Sequence, residues 1–224
     1  MSWYRHGAMK LSHRIPPTPW RAASTWALRP RMVAPLLVGL SLFGLGEGLL
    51  VQSHWGATPW TVLAQGVAIH AHISIGWSTA AISCVVLLAW FPLHERPGFG
   101  TLANLVVIAY VLDITTVIVP APSDDIVKAL FAVAAVAAIG VGSALYLTTG
   151  LGPGPRDGLM TSIHRRWGVS VVYVRLSLEV VVLVIGWLLG GTVGVATAFF
   201  AATIGFSIGA SLQALSAVLR RVDA

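Results

Sequence analysis

The stretch that decides the fold is GLGPGPRDGLM, residues 150–160, which sets Gly and Pro directly before a charged pair, Arg156 and Asp157. Proline is tolerated at the first turn of a helix, where its missing N–H costs no hydrogen bond, so Pro155 marks a helix start. The helix predicted over residues 155–166 has charges at both ends, only roughly 13 Å apart at 1.5 Å per residue. A bilayer core is about 30 Å thick. We therefore expect a membrane-buried half-helix that does not cross.

The composition requires lipid as the main solvent. The chain has 224 residues, 56% of them hydrophobic and 10% charged, with a mean hydropathy of +0.82, whereas soluble domains carry roughly a quarter charged residues. We expect an all-α integral membrane protein with six transmembrane helices and two short half-helices, the second at about 59–71 (PWTVLAQGVAIHA). The six apolar stretches of about 20 residues that a crossing needs are 33–52, 74–93, 101–120, 127–149, 169–190 and 195–217.

An internal repeat underlies this pattern. Shifting the sequence by 96 residues aligns repeat 1 (about 36–120) with repeat 2 (about 127–217) without a gap. The matches that carry weight are Gly and Pro, because these residues fix backbone geometry. They are Gly44/Gly140, Gly46/Gly142, Gly56/Gly152, Pro59/Pro155 and Gly98/Gly194. With three crossings in each half, the second half enters from the opposite side, so the sequence predicts two inverted three-helix repeats.

The net charge of +6 comes from an N-terminal tail, residues 1–31, that holds six of the 14 Lys and Arg and no acid. The membrane domain, residues 32–224, has eight bases and eight acids. The tail lacks the apolar run of a signal peptide; it is either an interfacial segment or a disordered one. Nothing in the membrane domain interleaves bases with aromatics, so we expect no nucleic-acid binding. The distribution of Lys and Arg predicts cytoplasmic N- and C-termini.

Four segments together resemble a known family. They are GLGPGPRDGLM (150–160), VRLSLEVVVLVIGWLLGGTVGVATAFFAATIG (174–205), PWTVLAQGV (59–67) and WFPLHERPGFGT (90–101). These segments resemble the bacterial YczE membrane proteins, within the YczE/YyaS/YitT grouping, over about residues 38–210. The resemblance implies a multi-pass protein of the bacterial cell membrane whose function is poorly defined, with transport the suspected role.

The two helix breaks are the first candidate site. Pro59 and Pro155 begin helices whose free N–H groups and positive dipole ends point toward the middle of the membrane. Broken helices at matching positions of two repeats mark binding sites in transporters. We expect Trp60 and Thr61 in one half, and Arg156 and Asp157 in the other, to hold a small anionic or zwitterionic molecule between the repeats. Asp157 would cap its helix. The alternatives are purely structural turns and a local Arg156–Asp157 ion pair.

Charged residues at membrane depth form the second candidate set. Arg175 and Glu179 lie four apart on one helix face and form either an internal ion pair or a proton carrier. Glu47 and Asp113 have no basic residue within one helical turn. Each must be protonated, paired across helices or exposed to a water-filled cavity, and proton coupling is one possible role.

We expect no enzymatic activity, cofactor or metal, because no nucleophile or zinc motif occurs. The leading hypothesis is a secondary transporter or channel-like permease embedded in the lipid bilayer. The alternative is a non-transporting accessory or scaffold protein for a partner complex or biosynthetic machinery. A homodimer is compatible with either.

Overall fold

The computed structural model describes residue 16 and residues 18–222. Every regular element within these residues is helical. The helices are α1 (Pro30–Gln52), α2 (Pro59–Ala71), α3 (Ile75–Trp90), α4 (Phe99–Ile118), α5 (Asp125–Thr148), α6 (Pro155–Trp167), α7 (Val171–Leu188) and α8 (Val195–Val222).

Five helices, α1, α4, α5, α7 and α8, are long and apolar enough to cross a membrane. The stretch predicted at 74–93 is shorter in the structure, because α3 has only 16 residues. Helix α3 follows α2 after a short break at an angle of 109°, and together they supply a sixth span if the bent pair counts as one. The protein is therefore a multi-pass membrane protein, and its described residues provide five candidate spans, or six if the bent pair is counted.

Both half-helices have 13 residues and begin at the proline that the sequence indicated, α2 at Pro59 and α6 at Pro155. Thr58 caps α2, since its Oγ1 accepts a hydrogen bond from the Thr61 N–H at 3.2 Å. At the start of α6 the N-cap is Gly154, which offers no side chain. The four N-terminal N–H groups of a helix lack partners inside it, so the start of α6 keeps more free donors than the start of α2.

The 96-residue spacing recurs in the backbone. Helices α2, α3 and α4 begin 96 residues before α6, α7 and α8, respectively. The same spacing separates the residues with a left-handed φ, a conformation that glycine adopts most easily. The eight such residues in the described part of the chain form four pairs: His54/Gly150, Gly56/Gly152, His72/Gly168 and His94/Gly190.

Helices α1 and α5 are packed closely at the centre of the fold. A Cβ atom on Gly39 would lie 2.7 Å from the Gly142 carbonyl oxygen, and one on Gly46 would lie 2.7 Å from the Ala135 oxygen. Only small residues permit such an approach. The contacts pair the early part of one helix with the late part of the other, so α1 and α5 run antiparallel.

Each half of the chain holds the loop that precedes the broken helix of the other half. The Gly100 N–H at the start of α4 donates to the Leu151 oxygen at 2.8 Å, and the Ala196 N–H at the start of α8 donates to the Trp55 oxygen at 2.9 Å. The two hydrogen bonds are related by the repeat, because Gly100 and Ala196 are 96 residues apart and so are Trp55 and Leu151. Each of these loops leads into a half-helix and is held by the opposite half of the chain, so the starts of α2 and α6 come together.

The basic tail lies partly outside the described residues, and Arg5, Lys10 and Arg14 fall there. Its described part is attached to the end of α5. The Thr18 hydroxyl donates to the Thr148 oxygen at 3.1 Å, and the Ala22 N–H donates to the Thr149 oxygen at 2.7 Å. The interfacial role suggested for residues 1–31 therefore concerns mainly residues outside the described ones.

Candidate functional site

An ion pair between the two repeats forms the centre of the candidate site. Arg156, in the first turn of α6, places its Nη1 3.3 Å from Oε1 of Glu47 in α1. The Thr58 hydroxyl donates to the same oxygen at 3.3 Å. Glu47 is fully buried, with 0% of its surface exposed. The sequence left three environments open to Glu47: protonated, paired across helices or exposed to a water-filled cavity. In the structure Glu47 is paired across helices.

Trp60 lies against the same guanidinium. The Arg156 Cζ is 5.0 Å from the centre of the Trp60 ring, within the range of a cation–π interaction. Trp60 and Arg156 are equivalent residues of the two repeats, each the second residue of its half-helix. A residue that touches its own repeat equivalent lies where the two halves meet, so the starts of α2 and α6 form one site.

Asp157 does not cap α6 as expected. It lies inside the first turn of the helix and accepts a hydrogen bond from the Tyr146 hydroxyl of α5. Among the ion pairs of the described residues none joins Asp157 to Arg156, which is paired with Glu47 instead. Glu47 and Asp157 are thus both hydrogen-bonded, but only the fully buried Glu47 is paired with Arg156.

Two polar atoms at this site lack a partner. Glu47 Oε2 and Trp60 Nε1 are buried without a hydrogen bond to any described residue. Trp60 is 6% exposed. Buried polar groups in folded proteins are nearly always hydrogen-bonded, and a charged one without a partner is especially unfavourable. The two residues that contact Arg156 thus carry one acceptor and one donor that are open to a ligand or to water.

The remaining predicted residues lie elsewhere. Asp113 Oδ1 accepts the Gly76 N–H at 2.6 Å and its Oδ2 accepts the Ser74 hydroxyl, so Asp113 ties α4 to the start of α3. Arg175 and Glu179 form the i, i+4 ion pair on α7 at 2.8 Å. The structure therefore brings together Glu47, Trp60, Thr61, Arg156 and Asp157, and leaves Asp113, Arg175 and Glu179 apart.

Two residues of the site were not singled out from the sequence. Thr58 carried a readable signal, since a Thr directly before a helix-starting proline is a typical N-cap. Tyr146 carried none, because nothing in an apolar helix tells which face meets Asp157. No cluster of three His, Cys, Asp or Glu side chains suited to a metal occurs in the described part of the chain.

Comparisons with known proteins agree with this architecture. Residues 30–212 match the family of unknown function DUF6198. An uncharacterized protein of Haemophilus influenzae is 49% identical over 191 residues, covering 85% of this chain and 88% of that protein. The uncharacterized membrane protein YczE of Bacillus subtilis is 32% identical over 193 residues, covering 83% and 90%. No solved structure matches. The resemblance to YczE predicted from the four sequence segments is confirmed, and the chain belongs to the DUF6198 family of membrane proteins.

Proposed function

We propose that this protein is a small secondary transporter of the bacterial cell membrane, built from two inverted repeats. It binds a small anionic or zwitterionic molecule where the starts of α2 and α6 meet. The observation that carries the proposal is the contact of Arg156 with both Trp60, its repeat equivalent, and the buried Glu47. Broken helices that meet at the boundary of two repeats are the arrangement in which transporters hold their substrates.

The packing supports the inverted orientation of the repeats. Helices α1 and α5 occupy equivalent places in the two halves and run antiparallel, as the Gly39–Gly142 and Gly46–Ala135 contacts require. A twofold axis that relates antiparallel membrane helices lies in the membrane plane, and repeats related in this way have opposite topologies. The matched hydrogen bonds of Gly100 and Ala196 follow the same symmetry.

The ion pair suits a site that exchanges partners. Arg156 is held by one carboxylate oxygen at 3.3 Å and by an aromatic face, and its side chain is 19% exposed. An anionic group of a substrate would take the place of the Glu47 carboxylate on the guanidinium, since planar guanidinium groups bind carboxylates well. Glu47 would then need another compensating charge, because a buried carboxylate is not stable alone.

Labelling of matched cysteines tests the orientation on which the proposal depends. In a Cys84→Ser background, single cysteines replace Leu63 in α2 and Leu159 in α6, which are 96 residues apart. A membrane-impermeant maleimide is added to vesicles of each sidedness. Inverted repeats predict that the two cysteines react preferentially from opposite sides. Reaction of both from one side would remove the inverted arrangement and the transport proposal with it.

The accessory or scaffold function is a second candidate, and one feature of α8 favours it. In the first repeat, Ala109 and Asp113 of α4 lie against Gly76 of α3. Their equivalents on α8, Gly205 and Gly209, have no neighbour within 4 Å of a Cβ added there. This open face is where a partner helix, including α8 of a second copy, would pack. Oxidative disulfide cross-linking of a Phe206→Cys variant in a Cys84→Ser background checks the homodimer form of this arrangement, since a second copy packed on this face carries the matching thiol and should give a cross-linked product.

A further inference from the structure

The balance of charge at the Glu47–Arg156 pair restricts which ligand the site accepts. The pair is neutral as a whole, and Glu47 has no exposed surface. A simple anion that takes Arg156 leaves a buried carboxylate without a countercharge. A simple cation that takes Glu47 leaves Arg156 with only the Trp60 ring. A ligand that carries both charges replaces each partner with its opposite and leaves no buried charge uncompensated.

The two buried atoms of the site that lack a hydrogen-bond partner among the described residues also favour a zwitterion over a simple anion or a simple cation. Glu47 Oε2 is an acceptor that lacks a donor, and Trp60 Nε1 is a donor that lacks an acceptor. An ammonium group supplies N–H donors but no acceptor, and a carboxylate supplies acceptors but no donor. A molecule with both groups satisfies both atoms at once, whereas a simple amine or a simple acid satisfies only one of them. Arg156 touches both residues, through Glu47 Oε1 at 3.3 Å and over the Trp60 ring at 5.0 Å.

We infer that the ligand is a small zwitterion with an ammonium group and a carboxylate. The ammonium binds Glu47, and the carboxylate takes the Arg156 guanidinium and the Trp60 N–H. This inference rests on the proposed function, since it names the substrate class of the same site.

Thermal unfolding of the purified full-length protein in detergent tests the assignment. The probes form three series of matched chain length: glycine, β-alanine and 4-aminobutyrate; acetate, propionate and butyrate; and methylamine, ethylamine and propylamine. We expect at least one amino acid to raise the midpoint of unfolding, with the corresponding acid and amine giving little or no shift. This comparison uses the wild-type protein and needs no variant.

A Glu47→Gln variant adds the selectivity test. Removing the charge should weaken binding of the amino acid by roughly tenfold or more, equivalent to about one step of 1.4 kcal/mol, while the matched acid binds as well as before or better. Asp125→Asn is the control, because Asp125 is an exposed acid paired with Lys128. The control should bind the amino acid as the wild type does.

Two results would overturn the assignment. Stabilisation by the acids, with no advantage for the amino acids, would show that the site binds a simple anion. Absence of a shift with every amino acid in the series would also reject the zwitterion. Neither result bears on the labelling of Leu63→Cys and Leu159→Cys, so failure of the ligand class and failure of the transport proposal are distinguishable.

Discussion

At the scale of single residues, the Glu47 carboxylate depends on an arginine from the other repeat. An Arg156→Met variant removes the cation but keeps an apolar side chain of similar length. Breaking a buried pair by removing one partner costs about 3–5 kcal/mol, so we expect a clear fall in the midpoint of thermal unfolding. The double variant Arg156→Met with Glu47→Gln should recover most of the loss, since no unpaired carboxylate is left.

The control for this comparison is the Arg175–Glu179 pair, which lies on a single helix and is partly exposed, at 40% and 19% for the two side chains. Arg175→Met should cost less than Arg156→Met. Equal losses for the two arginines, or a double variant no more stable than Arg156→Met alone, would mean that the Glu47 carboxylate does not depend on Arg156.

Gly158 has no room for a side chain, because an added Cβ would lie 2.0 Å from the Trp90 ring. Trp90 is 1% exposed and donates its Nε1–H to the Pro155 oxygen at 3.0 Å, so the ring has no room to move. Gly158→Ala should therefore destabilise the protein by about 1–3 kcal/mol, the usual cost of overpacking. Gly205→Ala is the control: it is helical with open space around it, and alanine is the better helix former. A Gly158→Ala variant that unfolds at the wild-type temperature would show that Trp90 does not fix the start of α6.

The sequence indicates that the charge of Glu47 must be compensated, but it does not identify the residue that compensates it. Glu47 stands in an apolar helix with no base within one turn, and that alone restricts its environment. Arg156 is 109 residues away, and its distance to Glu47 depends on how two loops are held by the opposite halves. Hydropathy and local spacing do not contain this information. The repeat alignment comes closest, because it makes Trp60 and Arg156 equivalent and a contact between equivalents marks the symmetry axis.

At the scale of elements, the two half-helices are fastened differently. The α3–α4 loop is held at the end of α6 by Glu95, which accepts the Ser162 hydroxyl at 2.9 Å and pairs with Arg165. The α7–α8 loop is held to the middle of α2 by a neutral bond, from the Thr192 N–H to Gln65 Oε1 at 2.9 Å. In a transporter with two gates, this difference predicts that charge holds only the gate at the end of α6.

Glu95→Gln should loosen the α6 end alone. Arg165 is 57% exposed, and exposed pairs contribute about 0.2–1 kcal/mol, so the labelling rate of a cysteine at Ile163 should rise by a factor of up to roughly five. High salt should have the same effect on the wild-type protein. The matched probe is a cysteine at Val67 in α2, whose rate should change with Gln65→Ala and not with Glu95→Gln or salt. Equal salt dependence at both positions would contradict an ionic fastening of one end.

The predicted and observed helix bounds together show which helix ends can be predicted from the sequence. Both half-helices begin at the predicted prolines because Pro fixes φ and removes a donor, which are local effects. The end of α3 differs, since the apolar stretch continues to residue 93 while the helix ends at Trp90. Hydropathy does not detect that Pro92 lacks the N–H that would continue the helix. Phe91 still has helical φ and ψ, and the chain turns away by His94, which has a left-handed φ. Composition predicts where apolar surface lies, and backbone chemistry decides where the helix stops.

At the scale of the whole molecule, the number of crossings determines which side of the membrane each end occupies. Five helices qualify as spans, and the bent pair α2–α3 decides whether there is a sixth. Lys and Arg favour the cytoplasmic side, and under the six-span arrangement Arg96, Arg165, Arg166 and Arg220 fall there while Asp124 and Asp125 face outward. The inverted repeat requires this arrangement, because two halves of three crossings each start on opposite sides.

Reporter fusions in a bacterial host decide between five and six crossings. Green fluorescent protein fused after Ala224 should fluoresce, because it folds in the cytoplasm, and alkaline phosphatase inserted at Asp124 should be active, because it requires the oxidising side. Each reporter placed at the other position is the control and should give little signal. An active phosphatase at the C-terminus would mean that the α2–α3 pair does not cross. The halves would then be unequal in topology, and the site at Glu47 and Arg156 would need an explanation that does not depend on repeat symmetry.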